Sequence, residues 1–128
     1  MNSASDIPVT PLSPFIGAEI SGADLAQGMS DDAFAVIHQA LLDNLVLLFR
    51  KQDIPPTAQI KFTERFGAVE EHPLKARKGH PEFGNMLALE NKPSLRGARN
   101  DFWHSDISCA SEPPALAFLQ ALTVPEGK

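Results

Sequence analysis

A change of hydrophobic period at Leu45 constrains this chain more than any other feature. Ahead of it, Phe34, Ile37, Leu41 and Leu45 recur at spacings of three and four, the signature of a helix with one apolar face. From Leu45 to Phe49 the apolar residues become continuous, and Arg50, Lys51 and Gln52 close the run. A short unbroken run of this kind reads as a strand buried on both faces. A helix feeding directly into a strand excludes an all-helical chain. No apolar run exceeds five residues, so no segment is expected to span a bilayer.

The helix has a clear start. Ser30 is a suitable N-cap, Asp31 and Asp32 complement the helix dipole in the first turn, and Met29 is placed to staple onto Phe34. His38 lies beside the apolar face and reads as a helix-flank histidine. Val9–Leu12 and Ala18–Ser21 read as short strands, separated by the turn residues Ser13, Pro14 and Gly17. Pro56 suits the first position of a second helix, in which Phe62 and Phe66 repeat at i,i+4 and Gly67 falls past the end. Met86–Glu90 and Ala115–Leu122 read as further strands, the second a core strand. This mixture predicts an α+β or mainly β domain with flanking helices.

Composition excludes several classes. Hydrophobic residues make up 43% of the 128 and charged residues 21%, which suits a globular chain and is too apolar for a disordered one. Residues 1–11 lack a basic start followed by an apolar stretch, so no secretory signal is expected there. One cysteine, Cys109, excludes an internal disulfide and a cysteine zinc cluster, and is expected to be buried and inert. A cytoplasmic protein is the default expectation. The net charge of −5 argues against nucleic-acid binding, but the charge is segregated. No Lys or Arg precedes Arg50, whereas Lys75, Arg77, Lys78, Lys92, Arg96 and Arg99 face only Glu82 and Glu90 across residues 75–99. Such a stretch either steers a small anion to a nearby site or forms a solvated loop.

Phosphate-cradling glycine motifs and a Gly-x-Ser-x-Gly elbow are absent. The residues that point to chemistry are His104 and Asp106 in Asn100-Asp101-Phe102-Trp103-His104-Ser105-Asp106. On extended backbone, positions i and i+2 share a face, so an imidazole and a carboxylate can bind one metal ion from the same side. With one further histidine they would form the facial triad of non-haem iron(II) oxygenases. The bare pattern is equally compatible with a loop in which Asp106 accepts a backbone hydrogen bond.

In its wider context, the sequence resembles the taurine dioxygenase family, the TauD/TfdA group of iron(II)- and 2-oxoglutarate-dependent dioxygenases. The resemblance runs in order through the segment Pro11–Leu25, then Leu47-Leu48-Phe49-Arg50-Lys51-Gln52, Arg65-Phe66-Gly67, His72-Pro73, Trp103-His104-Ser105-Asp106 and Pro113-Pro114-Ala115. It implies the N-terminal part of a double-stranded β-helix (a jelly roll) with flanking helices, residues 1–128 being the N-terminal portion of a single dioxygenase domain. By the same resemblance His104 and Asp106 are two of three iron ligands, and Trp103 packs to hold the motif. His72 and Asn100 fall on the substrate side. Lys75 stands where taurine-cleaving members carry a tyrosine, and the chain contains no tyrosine. A mobile cation in place of an aromatic wall keeps an anionic substrate but leaves open alkylsulfonates, sulfate esters and aryloxyalkanoates.

The resemblance further implies Fe(II) as metal, 2-oxoglutarate and O2 as cosubstrates, and release of succinate and CO2. It implies a homo-oligomeric full-length protein with neither a nucleic-acid nor a membrane partner. The third iron ligand and the arginine that grips 2-oxoglutarate are expected C-terminal to Lys128, so this chain alone is expected to be inactive. Two other readings stand beside it: a non-catalytic remnant or interaction module of the same fold, and another cupin-like metalloenzyme.

Overall fold

The structure, a computed structural model, describes residues 7–70, 82–89 and 103–124. The chain divides into two units, Met1–Val69 and Glu70–Lys128. The first contains five regular elements: β1 (Val9–Pro11), β2 (Ala18–Ile20), α1 (Asp31–Asn44), β3 (Leu47–Phe49) and α2 (Pro56–Thr63).

The three strands form one sheet in the order β1-β2-β3. β1 runs antiparallel to β2 with Val9 opposite Ile20 and Pro11 opposite Ala18. β2 runs parallel to β3 with Ala18 opposite Leu47 and Ile20 opposite Phe49, and α1 makes the crossover between them. Pro11, which lacks an N–H for the ladder, sits on the edge strand where that lack costs least. Side-chain alternation on β2 sets the core. Ala18 and Ile20 are buried, whereas Glu19 points away and pairs with Arg50 at 3.0 Å.

Helix α1 begins as expected: Ser30 Oγ accepts the Ala33 N–H at 3.2 Å, and Asp31 and Asp32 occupy the first turn. Its buried stripe differs from the expected one. Ala33, Ile37 and Ala40 are the buried residues, while Phe34 and Leu41 are half-buried and Leu45 is exposed. The two alanines have no side chain beyond Cβ to hold the helix off the sheet, so the stripe rotates onto them. Ile37, fully buried between them, contributes roughly 1.5–3 kcal/mol relative to exposure.

The apolar run Leu45–Phe49 is not a strand throughout. Leu45 caps α1 in the left-handed region (φ 65°), donating its N–H to Leu41 O at 2.7 Å. Pairing starts only at Leu47, and all three strand residues are half-buried. Among the described residues β3 has a ladder neighbour on one side only, so its other edge is not covered by a strand.

Pro56 opens α2, as its fixed φ allows. The helix ends at Thr63, and tighter turns carry the chain to Gly67, with Phe66 N–H on Thr63 O at 2.9 Å. Phe62 and Phe66 join Phe34 in edge-to-face contacts, the closest centroids being 4.8 Å apart between Phe34 and Phe66. His38 stacks on Phe66, as a helix-flank histidine would.

In the second unit, Met86–Leu89 is not a strand. Gly84 and Asn85 form a turn, Met86 N–H bonds back to Phe83 O at 3.0 Å, and only Leu87 makes an isolated bridge. Ala115–Leu122 is also neither strand nor core: it has no ladder partner among the described residues, and Leu119 and Leu122 are exposed. A strand exists only as part of a pair, so an apolar pattern alone does not produce one.

Candidate metal centre

His104 and Asp106 lie in the second unit, at the junction where the irregular segment 103–105 enters the turn 106–109. Their side chains converge: His104 Nε2 stands 3.4 Å from Asp106 Oδ1, and both groups are solvent-accessible. Two donors at right angles on a common ion, each about 2.1 Å from it, lie about 3 Å apart. A small rotation of either side chain would close the difference. The pair therefore suits a divalent metal by donor type and spacing. Among the described residues no third His, Cys, Asp or Glu joins them.

The neighbours of the pair depart from expectation. Trp103 is fully exposed instead of packing behind the motif. Cys109 is exposed instead of buried. It sits in a turn closed by Ala110 N–H on Ile107 O at 3.0 Å, within the polar stretch Ser105–Glu112, where little apolar surface is available to enclose a thiol. His72, Lys75 and Asn100 lie outside the described residues, as does most of the basic stretch 75–99.

The first unit carries two polar devices that the sequence reading missed. Gln52 ties the segment after β2 to the end of β3: its Oε1 accepts the Leu25 N–H at 3.1 Å, and its Nε2 donates to Ala23 O at 2.9 Å and Arg50 O at 3.2 Å. Arg65 joins the helices. Its guanidinium donates to Met29 O at 3.0 Å, pairs with Asp31 and lies 4.2 Å over the Phe34 ring. A long polar side chain directly after an apolar run was the available signal for Gln52. Arg65 had none, since its partners are over thirty residues away. A cleft of about 310 Å³ is lined by residues that include Leu25, Met29, Lys61, Phe62 and Arg65.

Residues 8–127 match the family described as taurine catabolism dioxygenase TauD, TfdA family. The chain belongs to the TauD/TfdA family. It is 34% identical over 126 residues to an alkylsulfatase of Acinetobacter baylyi, covering 98% of this chain and 38% of that protein. To the alpha-ketoglutarate-dependent 2,4-dichlorophenoxyacetate dioxygenase of Cupriavidus pinatubonensis it is 27% identical over 129 residues, covering 90% and 45%. Among solved structures, a taurine dioxygenase from Burkholderia xenovorans superposes with a TM-score of 0.53 and 38% identity, over 60% of this chain and 28% of that one. The chain thus spans about two-fifths of the length of these curated TauD/TfdA relatives. The small mixed sheet and two helices are the part of the family architecture seen here. No helix among the described residues is long and apolar enough to cross a membrane.

Proposed function

We propose that this chain forms part of an Fe(II)- and 2-oxoglutarate-dependent dioxygenase that oxidises a small anionic substrate, with release of succinate and CO2. The observation that carries the reading is the convergence of His104 Nε2 and Asp106 Oδ1 at 3.4 Å, within a sequence that matches the TauD/TfdA family over residues 8–127. His104 would hold the ion through a neutral imidazole and Asp106 through a carboxylate oxygen, so both must be deprotonated for binding. Bound iron would supply the activation of O2 that couples substrate oxidation to decarboxylation of 2-oxoglutarate. Because the two donors belong to one short segment, their relative position is set locally, and no long-range rearrangement is needed to bring them together.

The substrate class is read from His72, Lys75 and Asn100 together with the basic excess at residues 75–99. A histidine and a lysine donate to an anionic group, and an asparagine both donates and accepts. Relatives named for alkyl sulfates and for an aryloxy acid, and a structural neighbour named for taurine, share an anionic head on an organic body. Lys75 in place of a tyrosine favours a sulfonate, sulfate ester or carboxylate head without selecting taurine. The complete fold proposed for the parent protein is the double-stranded β-helix.

The test is succinate formation from 2-oxoglutarate by the full-length gene product, with Fe(II), across alkylsulfonates, alkyl sulfates and aryloxyalkanoates. At least one class should support turnover, and chelation should abolish it. Metal-dependent turnover of substrate without consumption of 2-oxoglutarate would point to a different metalloenzyme chemistry.

A further inference from the structure

The segment that carries His104 and Asp106 contains one backbone outlier. Ile107, the residue directly after the carboxylate, lies in the left-handed region at φ 49°. Glycine enters that region freely and asparagine tolerates it, but a β-branched residue is strained there. Of the three non-glycine residues with positive φ among the described residues, Ile107 alone is β-branched: Leu45 caps α1, and Lys51 follows β3. Ile107 is also the one residue from Trp103 to Glu112 that is not exposed, being half-buried. Its carbonyl accepts the Ala110 N–H at 3.0 Å, closing the turn that starts at Asp106.

We propose that Ile107 is a positioning residue for the His104–Asp106 pair: its left-handed backbone turns the chain directly after Asp106 and so holds the carboxylate against the imidazole. The inference rests on the proposed metal role of the pair. Side chains two apart on an extended chain share a face. Had the chain run on extended past Asp106, Ser108 would fall on the face of the second donor. The turn at Ile107 takes the chain off that face, and both groups are accessible, with side-chain exposures of 39% for His104 and 64% for Asp106. An open side is what a metal site needs if further ligands are to reach the ion. Burial alone does not require this conformation, since an isoleucine can be half-covered at negative φ without strain. Strain of this kind persists only where the surroundings over-determine it, and it gathers at ligand sites. Here the Ala110 bond and the half-buried side chain supply that support. Glycine would make the same turn but place Asp106 next to a free hinge. The anchored isoleucine removes that freedom, so less ordering is left to be done when an ion binds.

Titration of the 128-residue chain with Mn(II), read as paramagnetic broadening of the His104 ring resonances, tests the inference. Ile107→Gly and Ile107→Ala delete the same side chain but differ in their access to positive φ. Ile107→Gly should stay within about threefold of the wild-type affinity, and Ile107→Ala should bind at least about fivefold more weakly than the glycine variant. If the alanine variant fails to fold, Ile107→Asn against Ile107→Thr serves instead, two polar residues of which only asparagine tolerates left-handed backbone. Asparagine should then bind the ion more tightly than threonine. Equal affinities within the pair used, or the reverse order, would overturn the inference, because backbone conformation at this position would then not govern the site. In a wild-type chain whose His104 broadens no more than His38, the metal site itself fails and the inference falls with it. Selective broadening of His104 with no difference between the variants overturns the inference alone.

Discussion

His104 Nε2 and Asp106 Oδ1 stand 3.4 Å apart on an accessible segment whose geometry is set within three residues. Two groups so close and so exposed should bind a divalent ion even without their full ligand set, though weakly. With Mn(II) as a paramagnetic probe, the His104 ring resonances should broaden before those of His38, which is stacked on Phe66. Asp106→Ala should weaken the effect at least about tenfold, since loss of a supporting partner alone costs 10–100-fold in metal sites. Equal broadening of the two histidines would remove the case for a site at this segment.

Turnover is a stricter demand than binding. The described residues bring only two donors together, and the family resemblance places the third ligand and the 2-oxoglutarate arginine after Lys128. The purified 128-residue chain is therefore expected to form no succinate under any substrate and metal combination. In the full-length gene product, His104→Ala and Asp106→Ala should each lower the rate by at least about 100-fold. Succinate formation by the 128-residue chain itself would show that a complete ligand set exists within it.

What could be read from the sequence was what is encoded locally. Ser30, Asp31 and Pro56 mark helix starts through contacts within one turn, and each marks the observed boundary. His104 and Asp106 could be paired for the same reason, being two residues apart. Several of the failures are non-local. The spacing of apolar residues points to Phe34, Ile37, Leu41 and Leu45 for the stripe of α1; Ile37 is buried, but the sheet selects Ala33 and Ala40 beside it because they let the helix approach. Ala115–Leu122 has the composition of a core strand and lacks a ladder partner among the described residues. The packing role that the resemblance implies for Trp103, and the burial expected for Cys109, both depend on what is available to cover them, which local sequence does not specify.

Gln52 makes three hydrogen bonds to main-chain groups, two of them to the segment that follows β2. Gln52→Ala leaves the Leu25 N–H and the Ala23 carbonyl without this partner, and should cost about 1–2 kcal/mol in urea unfolding. Gln52→Glu keeps the acceptor but turns a carboxylate toward the Ala23 and Arg50 carbonyls, so at neutral pH it should be no better than alanine. A Glu variant as stable as wild type would mean that the Leu25 bond alone matters.

Arg65 separates geometry from charge. Its partner Asp31 is fully exposed, so Asp31→Asn should leave the melting temperature nearly unchanged. Arg65→Ala removes the bond to Met29 O and the contact over Phe34, and should cost about 1–2 kcal/mol. Arg65→Lys keeps the charge but loses the planar fork, and should recover less than half of that loss. Equal losses for Asp31→Asn and Arg65→Ala would instead make the surface ion pair the dominant contact.

Leu45 carries the clearest trade-off in the first unit. A non-glycine residue in the left-handed region costs about 1–2 kcal/mol, and glycine returns part of that through its greater freedom in the unfolded chain, about 0.5–1 kcal/mol. The Leu45 side chain is mostly exposed, so little burial is lost on removing it. Leu45→Gly should therefore stabilise the chain by about 0.5–1 kcal/mol, seen as a rise of about 2–5 °C in melting temperature. A fall in melting temperature would show instead that the Leu45 side chain serves the packing of its own unit.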